Sequence, residues 1–573
     1  MTYRAPLADM RVLLETVLEA GRLTETDRYA EATSETVNAV LGEAAKLAES
    51  VLAPLRRAGD LEPARLENGV VRTTPGFAEA YRALADGGWV GIAADPEHGG
   101  MGLPVTVLTC VGEMFGGANL ALSLCPLLTQ GQIEALEAHA SDALKRLYLP
   151  KLVSGTWTGT MNLTEPQAGS DVGAVRTRAE PRPDGTYAVT GEKIFISWGD
   201  HDVAENVCHL VLARLPDAPA GTRGLSLFLV PKFVPDAAGN PGARNGVRAV
   251  SLEHKTGLHG SPTAVMAYEE ATGWLVGEPS QGMAAMFTMM NNARLGVGVE
   301  GLSQAEAALQ AASAYAAERQ QGRTPTGEPG IVGHADVRRM LATMRVLTVT
   351  ARAICLDCAV SIDMGRATGD AGWEARAALL TPIAKAFGTD VGCAVSEMAV
   401  QVFGGMGYIE ETGVAQYYRD VRVTAIYEGT NGIQAMDLAG RKLADGGGTA
   451  QKLVEEIEEA ARRVAEAGAG ELGAKLAAAA HRLAETTGWM AAAEPDDRNA
   501  GAVPFLRAFA LTLGGGYLAR AALAEGIDLE APGPWTALAA FHTARLLPEV
   551  SSLCDAAVSG AAAVYAVRTD AWV

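Results

Sequence analysis

Between Trp157 and about residue 275 the chain changes its hydrophobic period, and that change bounds the fold more tightly than any single motif. Short apolar or alternating runs follow one another there: TWTGTMNLT, TYAVTGEKIFIS, NVCHLVLARL, GLSLFLVPKF, GVRAVSLE and AVMAYEE. Turn signals such as PRPDG, DAAGNPG and HGSP separate them, the pattern of a small β sandwich or barrel. On both sides apolar residues recur at intervals of three and four, the helical period. Upstream lie EATSETVNAVLGEAAKLAESVLAPLRRAGD, with Ser34 and Thr36 near a predicted N-cap, then FAEAYRALADGGW, VTVLTCVGEMFGGANLALSL and SDALKRLYLPKLVSG. Downstream, GMAAMFTMMNNARLGVGVEGLSQAEAALQAASAYAAERQ and ADVRRMLATMRVLTVTARAICLDCAVSIDMG are long enough to pack lengthwise in a bundle. DGGGTAQKL interrupts the pattern at 445–453, and about four more helices follow, the last running through WTALAAFHTARLLPEVSSLCDAAVSGAAAVYA.

The expected fold is therefore mostly α with an inserted β domain. Its expected divisions are an N-terminal extension (1–34), a helical domain (35–156), the β domain (157–278), a helical bundle (279–445) and an additional helical domain (446–573). At 573 residues the chain exceeds what one core can organise.

A formal net charge of −20 argues against nucleic-acid binding through a basic surface. Seven scattered cysteines argue against a disulfide framework and for a reducing compartment. Cys355 and Cys358 form a CxxC inside a helical pattern, with no second pair or His pair to complete a zinc site, so no metal is expected. No run of about 18 uncharged apolar residues appears, so no integral membrane segment is expected. The N-terminus lacks a basic region followed by a signal-type apolar core. A cytoplasmic protein is the expectation.

Four stretches can carry chemistry. MNLTEPQAGSDVGAVRT (161–177) follows a strand and supplies Thr164, Gly169, Ser170 and free backbone N–H groups, either for a planar heterocycle or phosphate or as a plain turn. GEKIFISWGDHD (191–202) ends a strand at Phe195, Ile196 and Ser197, presenting either an aromatic and a hydroxyl to a ligand or core. QVFGGMGYIEETG (401–413) allows close backbone approach at its glycines, or ends a helix. AIYEGTNGIQ (425–434) sets Glu428 between an apolar approach and a Gly-Thr-Asn-Gly turn, as a solvated acid or a buried base. GxxxxGK[ST], HExxH and GxSxG are all missing, which removes the usual support for NTPase, zinc protease and serine hydrolase chemistry.

The ordered set NLTEPQAGSD, EKIFIS, AAERQQGR, QVFGGMGY and IYEGTNGIQ resembles the acyl-CoA dehydrogenase family, over about residues 35–443. YRAPLADMRVLL and the extra C-terminal helices resemble its larger branch, which includes 3-methylmercaptopropionyl-CoA dehydrogenase-like proteins and dehydrogenases of longer fatty acyl-CoAs. Acyl-CoA oxidases carry a C-terminal extension as well.

The resemblance implies FAD between the β domain and the bundle. Met161, Leu163, Thr164, Gly169 and Ser170 match the flavin loop, and Phe195, Ile196 and Ser197 the strand over the other flavin edge. Arg319 matches an arginine that reaches the pyrophosphate of a neighbouring subunit's FAD, although Gln320, Gln321 and Gly322 replace the usual aromatic-Gly pair after it. Gln401, Phe403, Gly404 and Gly405 match the loop around a neighbour's adenine, and Thr430 and Gly432 lie near the cofactor.

Glu428 matches the catalytic glutamate, which takes the pro-R α-proton of an acyl-CoA thioester while hydride leaves Cβ for flavin N5. The Glu428 backbone N–H would stabilise the enolate oxygen. Gly429 and Ser170 lie by match at the thioester end of the substrate. Ala293 occupies the position from which some relatives supply the base. Arg294 beside it either positions CoA or the catalytic loop, or forms a salt bridge on the helix surface. Thr129, Gln130 and Gln132 either shape the pocket floor or belong to helix core. The implied partners are an electron-transfer flavoprotein and a second copy of the chain, as a homodimer or dimer of dimers. An oxidase using oxygen and a catalytically silent acyl-CoA or flavin-binding protein are the alternatives.

Overall fold

The computed structural model describes residues 3–572, the side chains at 291 and 292 excepted. The first helix, α1 (Leu7–Val12), belongs to the N-terminal segment. Next comes α2 (Ser34–Leu47), whose N-cap is Thr33, one residue before the predicted position. The Thr33 hydroxyl accepts from Thr36 N–H at 3.2 Å, filling one of the orphan donors of the first turn.

A long apolar helix, α3 (Val105–His139), crosses the N-terminal domain. Its first turn is capped from another element: the Asp363 carboxylate accepts from Val105 N–H and Thr106 N–H, each at 2.8 Å. The helix is interrupted at Asn119, whose φ of −158° is not helical. There Asn119 Oδ1 accepts from Leu122 N–H at 3.2 Å, a cap inside the helix that starts its second half.

Seven strands form the main sheet of the β domain: β1 (Trp157–Asn162), β2 (Arg178–Pro181), β3 (Tyr187–Ser197), β4 (Asn206–Arg214), β5 (Leu225–Pro231), β6 (Val247–Leu252) and β7 (Thr263–Val276). They run β6-β7-β3-β2-β4-β1, and β5 bridges β7 and β4, so five strands close into a ring. Of the sandwich or barrel expected, the sheet closes as a barrel, which leaves fewer open edges. Pairs are antiparallel except β1–β4 and β2–β4. β4 and β5 are buried almost throughout, as strands enclosed on both faces must be.

The bundle consists of α4 (Gly282–Glu318), α5 (Ala335–Thr368) and α6 (Ala371–Phe403), followed by a loop and α7 (Asn431–Ala439). α4 and α6 touch along a seam of glycines. A Cβ on Gly388 would sit 2.4 Å from Gly298 O, and one on Gly301 2.4 Å from Gly388 O. The C-terminal domain comprises α8 (Gly448–Glu466), α9 (Gly470–Ala492), α10 (Pro495–Glu525) and α11 (Pro534–Arg545). The single last helix read from sequence is instead divided. Helices resume at Glu549–Ala557 and Ala562–Ala566, because Pro548 has no N–H to continue α11 and Gly560 is left-handed at φ 74°.

Among the described residues, three helices have the length and composition to cross a membrane, each with an apolar 18-residue stretch that carries at most two charged residues. In this fold 72% to 89% of those stretches is buried inside the protein. Cys355 and Cys358 are buried free thiols on α5; elsewhere Cys110, Cys125, Cys208 and Cys554 are also free and buried, and Cys393 is free and half-buried.

Candidate active site

The catalytic-loop candidate enters on a 3-10 turn, Arg422–Ala425, and leaves through α7, whose N-cap Thr430 accepts from Ile433 N–H at 3.3 Å. Glu428 between them has φ 55°, a conformation costing a non-glycine residue roughly 1 kcal/mol or more. Gly429 follows at φ 85°. Gln434 on α7 holds this turn, donating from Nε2 to Glu428 O at 3.2 Å and Gly429 O at 3.4 Å. A Cβ at Gly429 would lie 2.8 Å from that nitrogen, so the glycine is required twice over.

α6 fixes the far side of the loop through Asn431. Lys385 Nζ donates to Asn431 Oδ1 at 2.9 Å, while Asn431 Nδ2 donates to Thr389 Oγ1 at 2.9 Å and Asp390 Oδ1 at 2.7 Å. The Glu428 side chain is thereby set among titratable groups. Its Oε2 is buried without a hydrogen-bond partner among the described residues. Burial raises its carboxyl to about 7, with the Arg294 and Lys385 charges pulling the other way. Lys385 is fully buried, and burial lowers its ammonium to about 8 despite the attraction of Glu300 and Glu428.

Arg294 is buried on α4, not on a helix surface. Its guanidinium lies 3.7 Å from Asp437 Oδ2 on α7, and its Nε has no partner among the described residues. It therefore braces the helix that follows the catalytic turn. Ala293 beside it is buried and offers no base.

A cavity of about 60 Å³ lies between the two halves of α3 and the middle of α4, lined by Trp89, Leu108, Phe115, Leu127, Val299 and Glu300 among others. The break at Asn119 lets residues from both halves of α3 face it. Gln130 also lines it and donates to Trp89 O at 3.2 Å. Thr129 and Gln132 are fully buried core residues outside the lining, Thr129 accepting from Gly159 N–H at 3.0 Å. On the cavity wall, Glu300 Oε2 accepts from the hydroxyl of Tyr427, the residue before Glu428.

The β-domain candidates come together. Lys193 Nζ donates to Leu163 O at 2.9 Å and to Glu165 Oε1 at 2.8 Å, and Ile194 N–H donates to Thr164 O at 2.9 Å. Glu165 also accepts from Arg176 N–H, Thr177 N–H and the Thr177 hydroxyl. Burial alone would raise Glu165, but Lys193 and these donors hold it at about 2, so the loop is clamped by an ionised carboxylate. Met161, Leu163 and Thr164 are half-buried, while Gly169 and Ser170 are exposed at the tip.

Phe195 sits at a bulge with φ 60° and is 60% exposed, an apolar side chain awaiting a cover. Ile196 turns the other way into the barrel core, so only its backbone is available, and Ser197 pairs with Thr263 on β7.

The remaining candidates gather elsewhere. Phe403 is buried and stacks on Tyr315 at 4.1 Å between centroids, which binds the end of α4 to the end of α6. Arg319, Gln401, Gly404 and Gly405 are exposed at that end. Phe403 is 18 residues beyond Lys385, about 27 Å along α6. Gly432 lies in the first turn of α7, beside Glu428.

Models of the N-terminal, middle and C-terminal domains of acyl-CoA dehydrogenase match residues 34–156, 160–271 and 280–443, and a further C-terminal-like model matches 453–568. A 3-methylmercaptopropionyl-CoA dehydrogenase of Ruegeria pomeroyi is 45% identical, over 93% of each chain. The chain belongs to the acyl-CoA dehydrogenase family. It is thereby an oxidoreductase with the fold of that family. A broad-specificity linear acyl-CoA dehydrogenase of Mycobacterium tuberculosis is 34% identical over 86% of this chain and 83% of its own. The Caenorhabditis elegans ACDH-11 structure, in complex with C11-CoA, superposes with a TM-score of 0.78 over 96% of this chain and 93% of that one, at 21% identity.

Tyr427 and Asn431 lie inside AIYEGTNGIQ but the motif assigns them no role, and Glu300 and Lys385 escape a motif reading altogether. A lone acid in LGVGVEGLS and a lone lysine in LLTPIAKAFG, each within an apolar helix, are the signals that could have found these two.

Proposed function

We propose that this protein is a FAD-dependent acyl-CoA dehydrogenase that converts a short acyl-CoA thioester to the trans-2-enoyl-CoA. The observation that carries the reading is Glu428: a strained, half-buried carboxyl with an unpartnered buried oxygen, raised toward neutrality and tethered through Tyr427 to the rim of an apolar cavity. A base poised near pH 7 is what abstraction of a thioester α-proton demands. Arg294 and Lys385 keep a usable fraction of Glu428 ionised, and Gln434 and Asn431 hold its backbone in place.

The chain's residues fit a flavin: the exposed Phe195 ring, the clamped 161–177 loop and the exposed Ser170 hydroxyl form one edge. FAD, when bound, supplies the two-electron acceptor for the hydride from Cβ. The 27 Å between Lys385 and the GGMG end of α6 supports Arg319 and Gln401–Gly405 serving the FAD of a second copy, hence a homodimer. An electron-transfer flavoprotein is the proposed oxidant and the cytoplasm the proposed address. A thioether acyl chain is the first candidate substrate, on the identity to the Ruegeria pomeroyi relative.

Anaerobic addition of 3-(methylthio)propanoyl-CoA or pentanoyl-CoA is expected to bleach the flavin absorbance of the holoenzyme. Glu428→Gln is expected to keep FAD and lose at least about 10²-fold of the bleaching rate. Unimpaired bleaching by that variant would refute the base assignment, and rapid reoxidation by air would make the protein an oxidase.

A further inference from the structure

Glu300 is a buried carboxylic side chain with no structural work to do at one of its oxygens. It is 5% exposed, lies on the cavity wall and forms no ion pair among the described residues, although the Lys385 charge acts on it. Tyr427 occupies Oε2, while Oε1 is buried and unpartnered. An unsatisfied carboxyl oxygen in an apolar cavity costs on the order of 1–3 kcal/mol, which a purely structural residue would not retain without a partner.

We propose that Glu300 is a specificity-determining residue whose free oxygen hydrogen-bonds an uncharged acceptor heteroatom, a thioether or ether, within a short acyl chain. The inference rests on the acyl-CoA dehydrogenase reading and assigns the feature of the substrate that this cavity selects.

Three observations converge. The space beside Glu300 is small, about 60 Å³, which suits a short chain. The walls facing Glu300 are apolar, so the chain is uncharged. Burial raises Glu300 to about 8, the Tyr427 hydrogen bond and the Lys385 charge opposing the rise and the ionised form of Glu428 adding to it, so at neutral pH the protonated form predominates. With Tyr427 donating to Oε2, the proton resides on Oε1, which makes the free oxygen a donor in search of an acceptor. A second carboxylate in the substrate would instead meet two carboxyls of the protein.

The test compares 3-(methylthio)propanoyl-CoA and 3-methoxypropanoyl-CoA with pentanoyl-CoA, which replaces the heteroatom by a methylene. The wild-type holoenzyme is expected to favour the heteroatom chains in kcat/KM by roughly fivefold to tenfold, the worth of one hydrogen bond between neutral groups. Glu300→Leu is expected to abolish that preference while still bleaching with pentanoyl-CoA. Glu300→Gln, which keeps an N–H donor of similar size, is expected to retain it. A wild type that shows no preference overturns the inference whatever the variants do, as does a preference undiminished in Glu300→Leu or lost equally in Glu300→Gln. If none of the thioesters bleaches the wild-type flavin, the dehydrogenase reading itself has failed. Bleaching by all three without discrimination removes only the role of Glu300.

Discussion

Two carboxyls, Glu428 and Glu300, are raised by burial, yet their surroundings separate their tasks. Glu428 faces the cations Arg294 and Lys385, which favour its ionised form; Glu300 is more deeply buried against an apolar cavity, and the Tyr427 hydrogen bond and the Lys385 charge offset only part of that burial. A pH dependence follows. A base works only when deprotonated, and Glu428 loses its proton as pH rises through about 7. Below that midpoint kcat/KM is expected to fall tenfold per pH unit, and above it to level. Near pH 8 Glu300 ionises and Lys385 sheds its charge, and both changes push Glu428 upward, so the upper limb belongs to the group as a whole. A kcat/KM profile with an acid limb near 4.5, the ordinary glutamate range, would show that burial does not tune this base. Glu428 was legible from its loop, because a carboxylate before Gly-Thr-Asn-Gly is a local pattern. Its neighbours were not, since Glu300 and Lys385 reach it from helices 128 and 43 residues away, and nothing in a local window encodes that meeting.

At the scale of elements, the site depends on how closely α4 and α6 approach. Gly298, Gly301 and Gly388 replace side chains with backbone contact, which brings Glu300 on α4 and Lys385 on α6 to one loop. Gly388→Val would force a side chain into Gly298 O, with a Cβ only 2.4 Å away. Overpacking of this kind costs about 1–3 kcal/mol. The expected result is a lower melting temperature together with a lower kcat, because the helices part and Lys385 loses Asn431. Asn431→Ala separates the two effects: it drops kcat by loosening the turn while shifting the melt much less. Equal melts and unchanged kcat in both variants would exclude the seam from positioning the base. The change of period at Trp157 made the strand region readable, and the apolar β4 and β5 runs made its enclosure readable. What periodicity could not convey is closure of the sheet, which depends on β5 pairing with two strands far apart in sequence, or the break in α3, which one asparagine creates inside an otherwise continuous helical pattern.

Over the whole molecule, the terminal segments are tied to the bundle by ion pairs and charge-assisted hydrogen bonds. In the C-terminal domain, Glu456 on α8 accepts from Arg376 on α6 at 3.0 Å, and Tyr517 on α10 donates to Asp357 on α5 at 2.6 Å. At the other end, Asp9 on α1 accepts from Arg345 at 2.7 Å and from Arg352 at 3.0 Å. Arg352 is fully buried and also donates to Glu113 on α3 and Glu306 on α4, each at 2.6 Å, so one guanidinium joins four elements. Replacing it by methionine conserves volume but leaves three carboxylates facing one another without their shared cation. Breaking a buried pair in this way costs about 3–5 kcal/mol. The deficit has a definite pH dependence. In the variant the orphaned carboxyls titrate higher when folded than when unfolded, so the folded state takes up protons as pH falls. The stability they contribute is present below their unfolded values and lost as pH rises through the folded ones. Arg352→Met is therefore expected to melt well below the wild type at pH 7.5 and to recover part of the difference at pH 5.5. A gap between the two melting curves that stays constant over that range would mean that the carboxylates relax to solvent, and that the N-terminal segment is held by its apolar contacts alone.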